Sequence, residues 1–137
     1  MEKIKLYHYT DIKNLKKIDI NFFNSHYYTE NDYKSCRIKR IFFFIEKIPY
    51  ENFFTSSKYC YIVEVNKNKI YDLRADKKNL LKKFRYTGLD VVNITALLNH
   101  VKSIGYFGVI YNINSKYDIV TLFKTQKITG CINNNAV

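Results

Sequence analysis

The chain has 137 residues and a mass of 16.4 kDa, which is the size of one ordinary domain. Hydrophobic residues make up 47% and charged residues 26%, so the chain can bury a core and is not disordered as a whole. Because it holds only 4 Gly, 1 Pro and 3 Cys, the composition excludes collagen-like, linker-like and disulfide-scaffold classes.

The charge of the chain is strongly positive. Lysine and arginine total 23 against 12 aspartates and glutamates, which gives a formal net charge of +11. Such a surface attracts anions, and nucleic acid is the first partner to consider. Coding sequence rich in A and T enriches the same residue types, Lys, Asn, Ile, Tyr and Phe, without any need for a partner. Both interpretations of the charge stay open.

Cysteine spacing and hydropathy indicate the compartment. The cysteines have neither the C-x-x-C spacing nor the nearby histidines of a metal site or a disulfide framework, which favours a reducing compartment. The first residues lack the apolar run of a signal peptide, and no apolar stretch approaches about 18 residues. We therefore expect a cytoplasmic protein, in the host cytoplasm if it is viral, with no metal and no membrane partner.

The first part of the chain alternates predicted elements with an irregular segment. Polar and apolar side chains alternate over residues 4–9, which predicts a first strand, and residues 12–17 predict a short helix. Residues 19–39 have no period and predict a long loop. Residues 40–45 are apolar on both faces, which is typical of a central strand, and the proline that opens 49–54 favours a short helix there.

The middle of the chain predicts two strands and a helix. Residues 59–65 form the clearest strand by composition, and residues 69–73 predict a short strand that we expect beside it. Asp76 is expected to cap a helix with lysines on its outer side. The apolar face of that helix would hold Leu80, Leu81 and Phe84.

The last part of the chain predicts a helix and a hairpin. Apolar positions in residues 91–103 follow helical spacing, and a glycine ends the helix. Residues 106–111 and 119–123 predict strands around a polar turn, and 129–137 predict a frayed polar tail. The order of elements predicts a single α+β domain over residues 1–128, with a mostly antiparallel sheet and two to four short helices.

One histidine stands at a position suited to binding. His8 ends the first predicted strand, between two tyrosines and two residues before Thr10. A neutral imidazole at the rim of a sheet can donate to a ribose hydroxyl while a neighbouring ring stacks on a flat heterocycle. A histidine that is satisfied by a backbone carbonyl within a strand is the alternative interpretation. We interpret the other two histidines, His26 and His100, as surface residues.

Basic residues concentrate before the aromatic strand and on the helix expected after residue 76. The candidate contacts to nucleic acid are Arg37, Lys39, Lys77, Lys78, Lys82 and Lys83. At the start of the strand, Arg40 can hold a pyrophosphate with both arms of its guanidinium. The helical lysines can also be simply solvated, and no RNA-recognition, helix-turn-helix or zinc-finger signature accompanies them.

The sequence LYHYT at residues 6–10 resembles the opening strand of ADP-ribosyltransferase-like domains, in which a histidine binds the ribose of NAD. Near the end of the chain, a helix leads into GYFGV at 105–109 and, after a polar turn, into IVTLF at 119–123. This layout is similar to that of small phage anti-CRISPR ADP-ribosyltransferases, and RIFFF at 40–44 resembles the family's second strand. The resemblance implies an ADP-ribosyltransferase-like fold.

The resemblance also implies an activity. NAD would be the substrate, and ADP-ribose would pass to a macromolecular acceptor, a protein or a nucleic acid, in a nucleoprotein complex for example, as in viral counter-defence. His8 would orient the ribose and Thr10 would support it. The aromatic residues that could stack on nicotinamide are Tyr9, Phe43, Phe44 and Tyr50.

Transfer of ADP-ribose needs a carboxylate near the last two strands. A negative charge must stabilise the developing ribosyl cation or activate the acceptor. Between residues 106 and 123, the candidate for this catalytic role is Asp118. An aspartate that stabilises its own turn is the alternative interpretation, and Glu46 and Asp72 are more distant candidates.

Two other functions stay open. A non-catalytic domain could keep the scaffold and use its basic faces to hold RNA, DNA or an acidic protein. A small ribonuclease that uses His8 with a lysine is the third hypothesis.

Overall fold

The computed structural model describes residues 2–23, 38–47, 57–112 and 118–133. The strands in these ranges are β1 (Lys3–Thr10), β2 (Lys17–Ile18), β3 (Ile41–Phe44), β4 (Tyr59–Asn66), β5 (Ile70–Asp72), β6 (Gly108–Tyr111), β7 (Ile119–Leu122), β8 (Gln126–Lys127) and β9 (Gly130–Asn133). The helices are α1 (Leu80–Lys83) and α2 (Ile94–Ser103), and a 3-10 turn (Lys67–Lys69) joins β4 to β5.

Seven strands form one sheet in the order β5-β6-β7-β3-β1-β4-β9, and β2 pairs with β8 in a second, two-stranded sheet. Neighbours in the larger sheet are antiparallel except β5 and β6, which run parallel. The protein is therefore a single α+β domain with a mostly antiparallel sheet, as predicted, and the described residues include two helices.

Side chains of β1 alternate between the two faces of the larger sheet. Leu6 and His8 lie on one face, which we call the His8 face. Tyr7 lies on the other, opposite Phe44 of β3, and we call this the Tyr7 face. Strand β1 lies inside the sheet, since β3 and β4 flank it.

The core on the His8 face is closed by the two-stranded sheet. Ile18 of β2 has no exposed surface and packs in one cluster with Leu6 and Phe43. Leu15 and Phe23, which flank β2 in the chain, are partly buried against the same cluster. Residues 15–23 therefore supply a second layer over the central strands.

The core on the Tyr7 face is closed by helix α2. Its buried cluster contains Tyr71, Leu80, Leu97, Leu98, Val101, Val109 and Phe123. The helix predicted over residues 91–103 is confirmed from Ile94 onwards. Asn93 begins it, with Oδ1 accepting from the N–H of Ala96 at 3.1 Å, and Gly105, with a φ of 100°, follows its end.

Helix α1 is short and depends on one carboxylate. The helix begins later than predicted, since Asn79 is at its N-cap position and Lys77 and Lys78 precede it. Asp76 still caps it from outside, because its carboxylate accepts from the N–H groups of Leu80 at 2.9 Å and Leu81 at 3.0 Å. Leu80 is buried and Phe84 is half-buried, but Leu81 is 36% exposed rather than part of the apolar face.

The helix predicted over residues 12–17 is wrong. Asn14 has a φ of 62°, in the left-handed region, so a right-handed helix cannot pass through it. The Tyr61 hydroxyl donates to the carbonyl of Ile12 at 2.6 Å and accepts from the N–H of Leu15 at 3.3 Å. The segment is thus a loop whose backbone is satisfied by a side chain of β4.

The predictions for the place of β5 in the sheet and for the tail from residue 129 are also wrong. Strand β5 does not lie beside β4 but at the far edge of the sheet, where Ile70 is opposite Gly108. The frayed tail expected from residue 129 instead begins with β9, in which Ile132 is opposite Cys60 of β4. Strand β4 would otherwise present an open edge, and β9 pairs with its backbone groups.

Candidate functional site

His8 belongs to β1, contacts the neighbouring strand β3 and keeps part of its surface exposed. Its Nδ1 lies 3.0 Å from the carbonyl oxygen of Phe42. Its ring meets Phe23 edge-on, with 4.9 Å between ring centroids, and Phe43 at 5.4 Å. A backbone carbonyl therefore satisfies one ring nitrogen, which is the arrangement that the alternative interpretation of this histidine predicted.

The contact with Phe42 determines the protonation of the imidazole. A carbonyl oxygen only accepts, so Nδ1 carries the proton and donates. Burial lowers the pKa of His8 from its ordinary 6.5, and the bond to Phe42 opposes part of that shift. The ring is neutral near pH 7, so Nε2 is an acceptor and not the donor expected from the sequence. Among the described residues, no donor contacts Nε2.

Thr10 belongs to the same surface as His8, because two residues along a strand return to the same face. Its hydroxyl oxygen accepts from the N–H of Ile12 at 3.3 Å, which leaves the hydroxyl proton free to be donated elsewhere. The bond from Tyr61 to Ile12 fixes the loop that follows. Three of the predicted NAD-binding residues, His8, Thr10 and Phe43, thus lie on one face of the sheet.

The other described residues predicted for NAD binding lie on the Tyr7 face. The rings of Tyr9 and Phe44 meet edge-on there, with 5.7 Å between centroids. Arg40 is only 6% exposed, and its guanidinium lies 5.6 Å from the centroid of the Phe42 ring. Because one step along a strand reverses the face, the structure does not bring these residues together with His8.

Asp118, just before β7, is held by two side chains. Its Oδ2 accepts from Nη1 of Arg74 at 2.7 Å, and its Oδ1 accepts from Nδ2 of Asn112 at 3.1 Å. Arg74 also donates to both carboxylate oxygens of Asp72, at 2.9 and 2.8 Å. The hydrogen bonds from Arg74 lower the pKa of Asp72, and those to Asp72 raise the pKa of Arg74. Asp118 is therefore held in a fixed orientation.

Asp118 lies on the His8 face, with β3 between the two residues. The N–H of Ile45 donates to the carbonyl of Asp118 at 3.4 Å, which continues the pairing of Phe43 with Val120. Alternation along the chain then places Asp118 on the same side as Val120. Two strand spacings of about 4.8 Å and two residue steps of about 3.4 Å separate the Cα atoms of His8 and Asp118 by roughly 12 Å.

The predicted nucleic-acid contacts fall into two separate places. Lys77 and Lys78 line a cavity, and Lys83 on α1 has its Nζ 5.6 Å from the centroid of the Phe84 ring. Lys39 is exposed and donates to Oδ1 of Asn21 at 3.0 Å, so it does not join that group. Lys82 is exposed on α1. Some of the predictions lie outside the described residues: those for His26, Arg37 and Tyr50 and the helix over 49–54.

Two cavities of about 380 and 500 Å³ open at the β5 edge of the larger sheet. The two cavities are neighbours that share Asn68, Lys78 and Tyr106 in their linings, and we call them together the edge cleft. Neither cavity is lined by His8. Of the residues in this lining, Lys78 was predicted from the sequence, whereas Lys69 and Tyr106 were not. The lysines at residues 67–69 and the adjacent aromatic residues Tyr106 and Phe107 are both evident in the sequence. Only the pairing of β5 with β6 brings these two groups together.

No helix within residues 2–23, 38–47, 57–112 and 118–133 is long and apolar enough to cross a bilayer. Within the same part of the chain, no three His, Cys, Asp or Glu side chains group as metal ligands.

Comparison with protein-family models, with curated proteins and with solved structures gives no match for this chain. A function must therefore be argued from its own residues and their geometry.

Proposed function

We propose that this protein is an ADP-ribosyltransferase-like domain that binds NAD and transfers ADP-ribose to a macromolecular acceptor. The observation that carries the proposal is a neutral His8 whose Nε2 is an acceptor, on the same face as Thr10 and Asp118. The resemblance of residues 6–10, 105–109 and 119–123 to that family supports the same function.

The state of His8 suits an NAD ribose. A ribose hydroxyl can donate to Nε2, while the rings of Phe23 and Phe43 exclude water from two sides of the imidazole. The nicotinamide ring of NAD is positively charged, and so is the ribose as the glycosidic bond breaks. A neutral histidine binds the sugar without repelling either charge.

Asp118 supplies the negative charge for the reaction. The bond between C1′ of the ribose and the nicotinamide nitrogen breaks, and its electron pair leaves with nicotinamide. A nucleophile of the acceptor forms the new bond to C1′ and releases its proton. A carboxylate close to C1′ stabilises the positive charge in the transition state. The carboxylate of Asp118 keeps lone pairs beyond those that Arg74 and Asn112 use.

Label transfer tests the proposal. The protein is incubated with a cell lysate and NAD that is labelled on its adenosine part, and we expect labelled macromolecules and free nicotinamide. Asp118→Asn keeps the size of the side chain but removes its charge. We expect this variant to bind NAD as the wild type does and to transfer about 100-fold more slowly.

NAD binding is measured separately, by thermal shift. His8→Ala should weaken NAD binding by about tenfold or more. His100→Ala is the matched control, because His100 is also half-buried and its ring lies 5.3 Å from that of Phe84. A wild type with no shift, or equal shifts in wild type and His8→Ala, would overturn the proposal.

A further inference from the structure

We propose that the edge cleft is a binding site for single-stranded nucleic acid and is separate from the His8 site. Strand β5 lies four strands from β1 in the sheet order β5-β6-β7-β3-β1. At about 4.8 Å per strand, roughly 19 Å separates His8 from the β5 edge. Oligonucleotide binding at the cleft can therefore be measured in a variant that lacks the His8 imidazole.

The walls of the edge cleft are basic. Four lysines line it: Lys67, Lys69, Lys77 and Lys78. Lys67 is 3.6 Å from Glu2, whereas the other three lysines form no ion pair within the described part of the chain. Unpaired ammonium groups around one groove raise its positive potential, and the phosphates of a nucleic-acid strand match that charge.

Nearby carboxylates reduce this charge only in part. Asp72 is the acidic residue in the lining of the two cavities, and Arg74 binds both of its oxygens. Asp76 accepts from the hydroxyl of Tyr71 and from the backbone at the start of α1. Burial and the bond to Asp76 raise the pKa of Tyr71 to about 12, so its phenol adds no negative charge.

Aromatic rings at the cleft provide surfaces for bases. Tyr106 meets Tyr71 edge-on inside the cleft, with 5.4 Å between centroids. The next residue, Phe107, lies beside the cleft rather than in its lining and is 36% exposed. Nζ of Lys69, which lines the cleft, and Nζ of Lys124 lie 5.5 and 4.2 Å from its ring centroid. A base that stacks on Phe107 would displace these ammonium groups from the ring towards its own phosphates.

The combination of an exposed ring with unpaired lysines favours a single strand over other polyanions. A duplex hides the faces of its bases, so it would use the lysines and leave the ring unused. An acidic peptide that adds to the β5 edge would bind mainly through main-chain hydrogen bonds. If binding depends on the Phe107 ring, the ligand is therefore a single strand and neither a duplex nor an acidic peptide.

Fluorescence anisotropy with labelled oligothymidylate and oligouridylate at several salt concentrations tests the charge. Lys69→Gln with Lys78→Gln should weaken binding and reduce the slope of log Kd against log salt by roughly 1.4, at about 0.7 per phosphate contact. The control, Lys13→Gln with Lys127→Gln, removes the same charge from exposed lysines beside and within the two-stranded sheet. It should leave the slope unchanged.

The ring is tested by Phe107→Ala, which should weaken binding by about fivefold or more at an unchanged salt slope. Phe22→Ala, at a ring that is 69% exposed outside the cleft, is the matched control. His8→Ala should bind the oligonucleotides as the wild type does, whatever its affinity for NAD.

Three outcomes overturn the proposal. If the two lysine double variants lose equal affinity for the oligonucleotides, the overall charge of the protein causes the binding and the cleft does not. Duplex DNA bound as tightly as the single strands, with no effect of Phe107→Ala, would exclude base stacking. If the wild type binds neither oligonucleotide even at low salt, the cleft is not a site for a single strand.

Discussion

Replacing Tyr61 with phenylalanine tests how a side chain of β4 fixes the loop that follows Thr10. Tyr61 is 2% exposed, and its hydroxyl bonds to the carbonyl of Ile12 at 2.6 Å and to the N–H of Leu15 at 3.3 Å. Phenylalanine keeps the ring in the core and removes only the oxygen. The change in the free energy of unfolding therefore reports on these two bonds.

The size of the effect follows from the geometry. The bond to Ile12 is short, and the bond to Leu15 is long and weaker. A hydrogen bond contributes about 0.5–1.5 kcal/mol net, and a buried backbone group without a partner costs about 1–3 kcal/mol. Both residues are half-buried, so water replaces part of the loss. We expect the free energy of unfolding to fall by about 1.5–2.5 kcal/mol and Tm by roughly 4–10 °C.

Urea unfolding followed by circular dichroism measures the difference, provided that the m-value does not change. Tyr59→Phe is the matched control, because Tyr59 lies on the same strand, is half-buried and has its ring centroid 6.3 Å from that of Tyr61. We expect this control to cost less than about 0.5 kcal/mol. If the two variants are equally stable, the loop does not depend on the Tyr61 hydroxyl and the reasoning is refuted.

Two further predictions concern the register of the sheet and the state of His8. A Cβ on Gly108 would lie 2.1 Å from the carbonyl oxygen of Thr121, so Gly108→Ala should force β6 away from β7. We expect the urea assay to show a loss of about 2 kcal/mol or more, and an unchanged midpoint would contradict the register. Because burial lowers the pKa of His8 from 6.5, the unfolded chain binds more protons than the folded one as pH falls below about 7. Stability should therefore fall with pH there, by at most about 1.4 kcal/mol per pH unit, and Tm should vary less with pH in His8→Gln. If Tm varies with pH equally in the wild type and in His8→Gln, His8 is not buried in its neutral form.

Local patterns predicted most strands, but not which strands pair. Alternation and β-branched composition located β1 and β4 within a residue or two of their observed bounds. The pairing of Ile70 with Gly108 depends on a contact between distant parts of the chain, which no local pattern records. The loop at Asn14 was missed for the same reason, since Tyr61 reaches it from another strand.

The candidate site could be predicted in part. Alternation alone implies that His8 and Tyr9 point to opposite faces, so the division of the NAD-binding set was available from the sequence. The proton on Nδ1 was not available, because it depends on the carbonyl of Phe42, 34 residues away. The ion pair of Asp118 with Arg74 likewise joins residues 44 positions apart, and only the folded sheet brings them into contact.

Arg74 links the two proposed sites electrostatically. Its guanidinium binds Asp118 on the His8 face and Asp72 in the lining of the edge cleft. Without this cation, the carboxylates at the end of β5 and just before β7 would repel each other across β6 and would repel any phosphate near the cleft. With it, part of the negative charge of the two carboxylates is offset, so they lower the positive potential at Lys77 and Lys78 less. The same bonds hold the Asp118 carboxylate in one orientation, as a group that stabilises a ribosyl cation must be held.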